Sequence, residues 1–432
     1  MGALPDEIVI DILLFLPIKS LMRFRCVNKT WLQLLTNPDP QFAQSYLTKS
    51  NKKSCTILAL GMEKFQDKPN IYSAVELNLA CDKSINLELP FSAKSYYVGG
   101  IRNGLILLRL ADVKNKLFIW NPFTNDYIHI PSPPPPNHSD CCDKITNFGF
   151  GFLQHTNQYK VISFSECNYT SFHPISRVSV YTLGTDSSLS WRNLSDISYH
   201  TFFFDCAAPL VNGVLHWTAF TGPLCLDSKR IVSFNMKHEN FQEIPYPKAN
   251  YHPNFHDRVG ELGGSLCILG RDSGENVELW VMQEYGIANS WTKLFTIGRP
   301  DICESFASLL PIGVVHNGEI LRMTSILINT ITEVFLYYPE TNSVRNLKEF
   351  GLHLYEAFAY TPSFISPRDI IGGGGLLAVR RAACTYTPSL NISPRPVHRG
   401  RELLAIRRAA YKRNKQRRFL AKKEFLICSR FG

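Results

Sequence analysis

Catalysis needs polar or metal-binding side chains at workable spacings, and this chain offers few. His252 and His256 stand four residues apart, a spacing that can place two imidazoles on one helix face for zinc. Pro253 lies between them in a polar, proline-rich stretch, and proline breaks the helix that this geometry requires. Cys141 and Cys142 are adjacent in a Pro- and Asp-flanked loop, and none of the 12 cysteines forms a C-x-x-C pair. The glycine run 372–375 lacks a following Lys-Ser or Lys-Thr, so it reads as a linker rather than a phosphate cradle. No Gly-x-Ser-x-Gly elbow is present. Trp120, Trp191, Trp217, Trp280 and Trp291 recur at intervals that suit a repeating core better than a base-stacking platform. The reading is a chain with no catalytic residues, no metal and no cofactor, acting through surfaces.

Two stretches carry such a reading. In residues 8–16 eight of nine side chains are apolar, and only Asp11 interrupts. A helix facing one small core needs a single apolar stripe, and a domain of some 45 residues is marginal alone, so either the chain's own β-rich zone or another protein must cover the surplus. At the other end Arg407, Arg408, Lys412, Arg413, Lys415, Arg417 and Arg418 place seven cations in twelve residues with no acid. Basic runs of this kind are read by nuclear importers or sit on polyanions, and the alternative is a duplicated tail with no function of its own. No base-reading module accompanies the charge, which argues against nucleic acid as a partner.

The net charge of +10 belongs to the tail. Residues 362–432 hold 16 Lys+Arg and 3 Asp+Glu, leaving 30 and 33 in residues 1–361. The acidic start, Met-Gly-Ala-Leu-Pro-Asp-Glu, does not resemble a secretory leader, and the apolar run 8–16 is too short to span a bilayer. The expectation is a reduced, cytoplasmic or nuclear protein without a membrane partner.

The positioning elements fall into three zones: 1–48 helical, 49–365 β-rich and 366–432 a basic, duplicated, partly disordered or helical tail. Pro5, Asp6 and Glu7 suit a helix start, and Pro17 stops that helix. Residues 19–26 and 27–35 can form two more. From residue 54 onward short apolar runs alternate with Gly, Pro, Asn and Ser clusters, the strand pattern. Strands are expected at 56–60, 105–110, 116–120, 159–164, 178–183, 213–217, 231–234, 266–269, 277–282 and 334–338.

A repeat decides the architecture. Asn103-Gly104, Asn212-Gly213, Gly263-Gly264 and Asn317-Gly318 each precede an apolar strand and stand 109, 51 and 54 residues apart. A second strand ending in a polar turn follows each, as in Ile119-Trp120-Asn121-Pro122 and Val232-Ser233-Phe234-Asn235. The double gap is filled by Phe148-Gly149-Phe150-Gly151-Phe152 with Val178-Ser179-Val180-Tyr181. A period near 50 with about four strands per unit describes a β-propeller of about six blades, whereas a β-sandwich explains the strands but not the period. The fold class is α+β multidomain, with three N-terminal helices before a mainly antiparallel propeller. In the tail Tyr360-Thr361-Pro362-Ser363 returns as Tyr386-Thr387-Pro388-Ser389, part of a duplication offset by 26–27 residues.

Leu4-Pro5-Asp6-Glu7-Ile8, then Ile12-Leu13, Leu16-Pro17, Lys19-Ser20-Leu21, Arg23-Phe24-Arg25-Cys26-Val27, Lys29 and Trp31 resemble the F-box. The body resembles the plant F-box-associated, kelch-like interaction domain. The matching residues are Arg102-Asn103-Gly104-Leu105, Asn121-Pro122 with Thr124, Phe148-Gly149-Phe150-Gly151, Tyr159-Lys160-Val161, Ser190-Trp191-Arg192 and Asn212-Gly213 with Leu215-His216-Trp217. The resemblance implies a non-catalytic substrate receptor of an SCF-type ubiquitin ligase. Its F-box would dock on a Skp-type adaptor, and through it a cullin, using Leu4, Pro5, Ile8, Ile12, Leu13, Leu16, Pro17, Leu21, Arg23 and Val27, with Trp31 holding the third helix. Its propeller would hold an unidentified protein target through loops, the candidates by composition being 131–143, 166–174, 221–229 and 248–257. A cullin-independent binding scaffold is the alternative reading.

Overall fold

The computed structural model describes residues 6–16, 18–24, 26–27, 29–36, 42, 45–47, 56–63, 71–78, 83–87, 96–110, 116–134, 145–166, 176–183, 190–201, 207–221, 229–247, 257–272, 276–298, 308–314, 320–325, 333–338, 341, 343–346 and 353–370. The N-terminal zone forms α1 (Asp6–Leu14), α2 (Ile18–Phe24) and α3 (Lys29–Thr36). The last turn of α1 tightens, with the amides of Phe15 and Leu16 donating to the carbonyls of Ile12 and Leu13 at 3.1 Å, and Pro17 has no N–H to extend the ladder. The apolar run splits as its all-round character requires. Leu13 and Leu14 turn inward onto Ile18, Leu21, Leu35, Phe42 and Tyr46, while Ile8, Ile10, Ile12 and Phe15 face water.

The β-rich zone forms six antiparallel sheets among the described residues, five of four strands and one of five. The expected strands all fall within observed ones, to within a residue at their ends. The second sheet shows the plan: Tyr96–Arg102, Leu105–Leu110, Leu117–Asn121 and Asp126–Ile130 pair in chain order. The third sheet starts with Ile145–Leu153, the fourth contains Val214–Phe220 and Lys229–Asn235, and the fifth runs from Arg258–Leu262 to Trp291–Ile297. The first sheet departs from chain order. Its first strand, Thr56–Glu63, pairs on one side with Ile71–Asn78 and on the other with His353–Tyr360, so the two ends of the β-zone share one sheet.

Three of the repeated small-residue pairs turn one strand of a sheet into the next: the first into the second in the second and fifth sheets, and the short Leu210–Val211 into Val214–Phe220 in the five-stranded fourth. The registers close at Arg102↔Leu105, Val211↔Val214 and Leu262↔Ser265. Both central residues have positive φ in each case: 53° and 76° for Asn103-Gly104, 53° and 77° for Asn212-Gly213, 60° and 87° for Gly263-Gly264. This is the I′ geometry, whose twist matches that of the strands. The Asn317-Gly318 site lies outside the described residues. The second repeated turn also has a physical cause. Asn121 Oδ1 accepts from the amides of Phe123 and Thr124, and Asn235 Oδ1 accepts in the same way from Lys237 and His238; each side chain replaces a backbone acceptor at the bend.

The third unit differs from expectation. Phe148–Phe152 lies in the first strand of its sheet rather than the second, because the turn there is the longer 154–157, closed by Asn157 at φ 53°. Its glycines serve close approach: a Cβ on Gly149 would lie 2.7 Å from Trp217 Cζ2, and one on Gly151 would collide with Met236 Sδ. The core lies between successive sheets. Trp120, Trp217, Trp280 and Trp291 are buried and Trp191 half-buried, so the tryptophans are packing residues.

Candidate functional site

The outward face of the helices is unusual for a water-exposed surface. Ile8, Ile10, Ile12, Phe15, Val27 and Leu32 are all exposed, Phe15 at 63% and Val27 at 58%. Of the residues expected to dock an adaptor, Ile8, Ile12, Val27 and Arg23 are exposed, and Leu16 is half-buried, its carbonyl accepting from the Tyr46 hydroxyl at 3.1 Å. Leu13 and Leu21 are fully buried in the helical core, where they hold the exposed face in shape. Leu4, Pro5 and Pro17 lie outside the described residues. Trp31 packs on Phe24 with ring centroids 5.4 Å apart, tying α3 to α2. Phe15 was missed as a docking residue although it completes the i, i+4, i+7 stripe with Ile8 and Ile12; Ile10 was legible as part of the surplus apolar run 8–16, and Leu32 was not singled out.

The inward face of the helices packs against one end of the β-zone. Phe123, in the turn after Leu117–Asn121, and Phe364, past the last strand, join the helical cluster. Phe364 lies 5.5 Å from Phe123, 6.1 Å from Phe42 and 5.3 Å from Tyr46, centroid to centroid.

Antiparallel pairing fixes which connections share an end of a sheet. First-to-second and third-to-fourth strand turns lie at one end; second-to-third connections and those between sheets lie at the other. The turns at 103–104, 122–125, 212–213 and 236–239 occupy the first end. The segments 131–143, 166–174, 221–229 and 248–257 all connect strands at the opposite end. They lie largely outside the described residues.

Neighbouring sheets are latched by recurring polar contacts. The indole of Trp191 donates to the Pro131 carbonyl at 2.7 Å, and that of Trp291 to the Pro245 carbonyl at 2.8 Å. In both, a tryptophan at or just before the start of a sheet's last strand grips the carbonyl that follows the last strand of the sheet before. Lys160 donates to Glu239 at 2.7 Å, and Arg192 reaches the same carboxylate. Burial pushes Glu239 up, but the bonds from Arg192 and Lys160 outweigh it and hold the carboxyl below its ordinary range. His216 is buried with Nε2 2.8 Å from the Tyr285 hydroxyl. Burial drives its pKa down to about 4 against the pull of its backbone partners Pro209 and Val214, so the imidazole is neutral at pH 7. Arg102 reaches from the second sheet to the Ala208 carbonyl beside the fourth, at 2.8 Å. Burial lowers its pKa to about 10 while Glu261 opposes the fall.

Among the described residues no three His, Cys, Asp or Glu side chains gather as a metal site needs, and Cys267 is buried in the core. His252, His256, Cys141, Cys142, the glycine run 372–375, the second copy of the duplication and the basic cluster from Arg407 to Arg418 lie outside the described residues.

Comparison with known proteins gives these surfaces a context. Residues 2–42 match the F-box domain, and residues 45–363 match the F-box associated beta propeller domain. An F-box protein of Arabidopsis thaliana is 29% identical over 78% of this chain and 83% of its own length. The F-box protein CPR1 of the same plant is 27% identical over 72% and 77%, and an F-box/kelch-repeat protein is 24% identical over 85% and 96%. Among solved structures, TolB from Acinetobacter baumannii aligns with a TM-score of 0.42 at 11% identity, over 70% of this chain and 66% of TolB. Helices with an apolar outer face, sheets whose hairpins repeat an Asn-Gly or Gly-Gly turn and a match over most of the length converge: the chain belongs to the plant F-box proteins that carry an F-box-associated β-propeller domain.

Proposed function

We propose that this protein is the substrate-recognition subunit of an SCF-type ubiquitin ligase. The observation that carries the reading is the exposed apolar face of α1–α3 on a chain that matches the F-box. A fully exposed side chain of this kind gains about 1.5–3 kcal/mol on complete burial, so covering the partly exposed Ile8, Ile12, Phe15 and Val27 contributes to docking on a Skp-type adaptor, with the rest of the contact needed to offset association costs. Leu4, Pro5, Leu16, Pro17 and Arg23 complete the contact by family analogy, and Leu13 and Leu21 support it from inside. Through the adaptor the chain joins a cullin. Each of the six sheets is one blade of the propeller, and the pairing of Thr56–Glu63 with His353–Tyr360 closes the ring. The target protein binds at the end opposite the helices, through the connections at 131–143, 166–174, 221–229 and 248–257. No chemistry is asked of this chain: it holds target lysines near a charged ubiquitin, and the gain is effective concentration. The protein works in the cytoplasm, the nucleus or both, with the basic cluster Arg407, Arg408, Lys412, Arg413, Lys415, Arg417 and Arg418 as its import signal.

The test is co-purification of the full chain with a Skp-type adaptor. The double variant Ile8→Asp, Phe15→Asp is expected to weaken adaptor binding by about 100-fold or more, as loss of two anchors does, and to leave the melting of the β-propeller unchanged. Equal recovery of adaptor by wild type and variant sinks the docking assignment.

A further inference from the structure

The F-box core is not made by the F-box alone. Phe364, 3% exposed, packs among Phe42, Tyr46 and Phe123. It arrives there on an extended segment, 361–366, that runs into a short helix, α4 (Pro367–Ile370). The segment is fastened to the second sheet at several points. The Tyr360 hydroxyl donates to the Gly104 carbonyl at 3.5 Å and Ser363 Oγ to the Asn103 carbonyl at 2.6 Å. Asn121, fully buried, donates through Nδ2 to the carbonyls of Ser363 and Ile365 at 3.0 and 2.9 Å. Arg368 lies 3.8 Å from Asp126.

The geometry points to residues 361–370 as a strap that fixes the F-box on the propeller, with Phe364 as the positioning residue. The strap lies between the two bodies, hydrogen-bonded to the second sheet and packed through Phe364 against the helices, so the direction in which the F-box presents its outer face is set by a residue more than 300 positions downstream. Under the ligase reading this makes the angle between adaptor and target a built-in property of the receptor. The strap itself does not depend on that reading.

Asn121 offers a clean way to loosen the strap. Its Oδ1 shapes the turn through Phe123 and Thr124, while its Nδ2 holds the strap. Asn121→Asp keeps the acceptor and turns the donor into a group that repels two carbonyls. Asn235 makes the same turn in the fourth sheet through its Oδ1, with no strap over it among the described residues, so Asn235→Asp is the matched control. Hydrogen exchange of the full chain is the measurement. Phe364→Ala and Asn121→Asp are expected to speed exchange in residues 6–47 by about tenfold or more, because opening of that unit becomes easier, and to leave 145–297 as in wild type. Phe364→Leu should restore most of the protection, and Asn235→Asp should leave residues 6–47 unaffected. Unchanged exchange in the helices, or equal loosening of the whole propeller, overturns the proposal. Adaptor binding by the wild-type chain is scored in the same preparations: its absence counts against the ligase reading and leaves the exchange data to judge the strap.

Discussion

The second and fourth sheets are built on the same local code and put it to different uses. Asn103-Gly104 and Asn212-Gly213 have nearly identical φ values, and Asn121 and Asn235 close the next turn in the same way. A Cβ on Gly213 would meet nothing within 4 Å, whereas one on Gly104 would collide with Ser363 Oγ. The strands behind the turns differ too. Four positions after each asparagine stands Leu107 in the second sheet and His216 in the fourth, both fully buried. The repeat therefore specifies a turn and nothing more. Carrying the helices was added to the second sheet by the strap, and an ionisable core residue was added to the fourth.

Substitutions can break this contrast at several depths. The largest effect is expected at Trp217, buried against Phe164 with centroids 4.8 Å apart and edge-on. Trp217→Ala should cost about 3–5 kcal/mol in denaturant unfolding, more than Leu108→Ala at the equivalent position of the second sheet; a smaller loss would mean that the fourth sheet is not part of the cooperative core. Acid comes next. His216 titrates near 4 when folded and near its ordinary 6.5 when unfolded. The unfolded chain therefore takes up the proton first. Stability is intact above about pH 6.5 and falls by about 3 kcal/mol as pH drops towards 4. His216→Leu, which copies the second sheet, should remove that part of the pH profile; an unchanged profile would assign the acid sensitivity elsewhere. The smallest effect is expected at the turns. Gly213→Ala should cost about 1 kcal/mol for the left-handed backbone alone, and Gly104→Ala should cost more and also speed exchange in α1–α3. Equal costs at the two glycines would mean that the strap does not press on the turn.

The parts of this molecule written in short-range code were legible. The helix stop at Pro17, the Asn-Gly hairpins and the alternating strands each follow from a few neighbouring residues. The signature residues Arg102, Asn121, Lys160, Trp191 and His216 were visible as a pattern, yet their work was not: each bonds to a partner between 60 and 244 residues away where it bridges sheets or holds the strap. Contacts over such separations leave no period in the sequence. The Tyr-x-Pro-Ser segment was noticed for being duplicated, and nothing local marked Phe364 as part of the helical core. The outer face of α1 was half legible, because a run apolar on every side does not say which side a small core will claim. Leu13 went in and Phe15 stayed out.

The sheet shared by the two ends of the β-zone has a consequence in time. Thr56–Glu63 cannot gain its partner His353–Tyr360 until about 290 further residues have been made. At about 5–20 residues per second that is roughly 15–60 s on the ribosome. Throughout that interval one edge of the first sheet stands open, the kind of edge that recruits strands from other chains. A nascent copy is thus obliged to wait, half-closed and adhesive, for its own last strand. Neighbouring ribosomes on the same message are the nearest source of the wrong one.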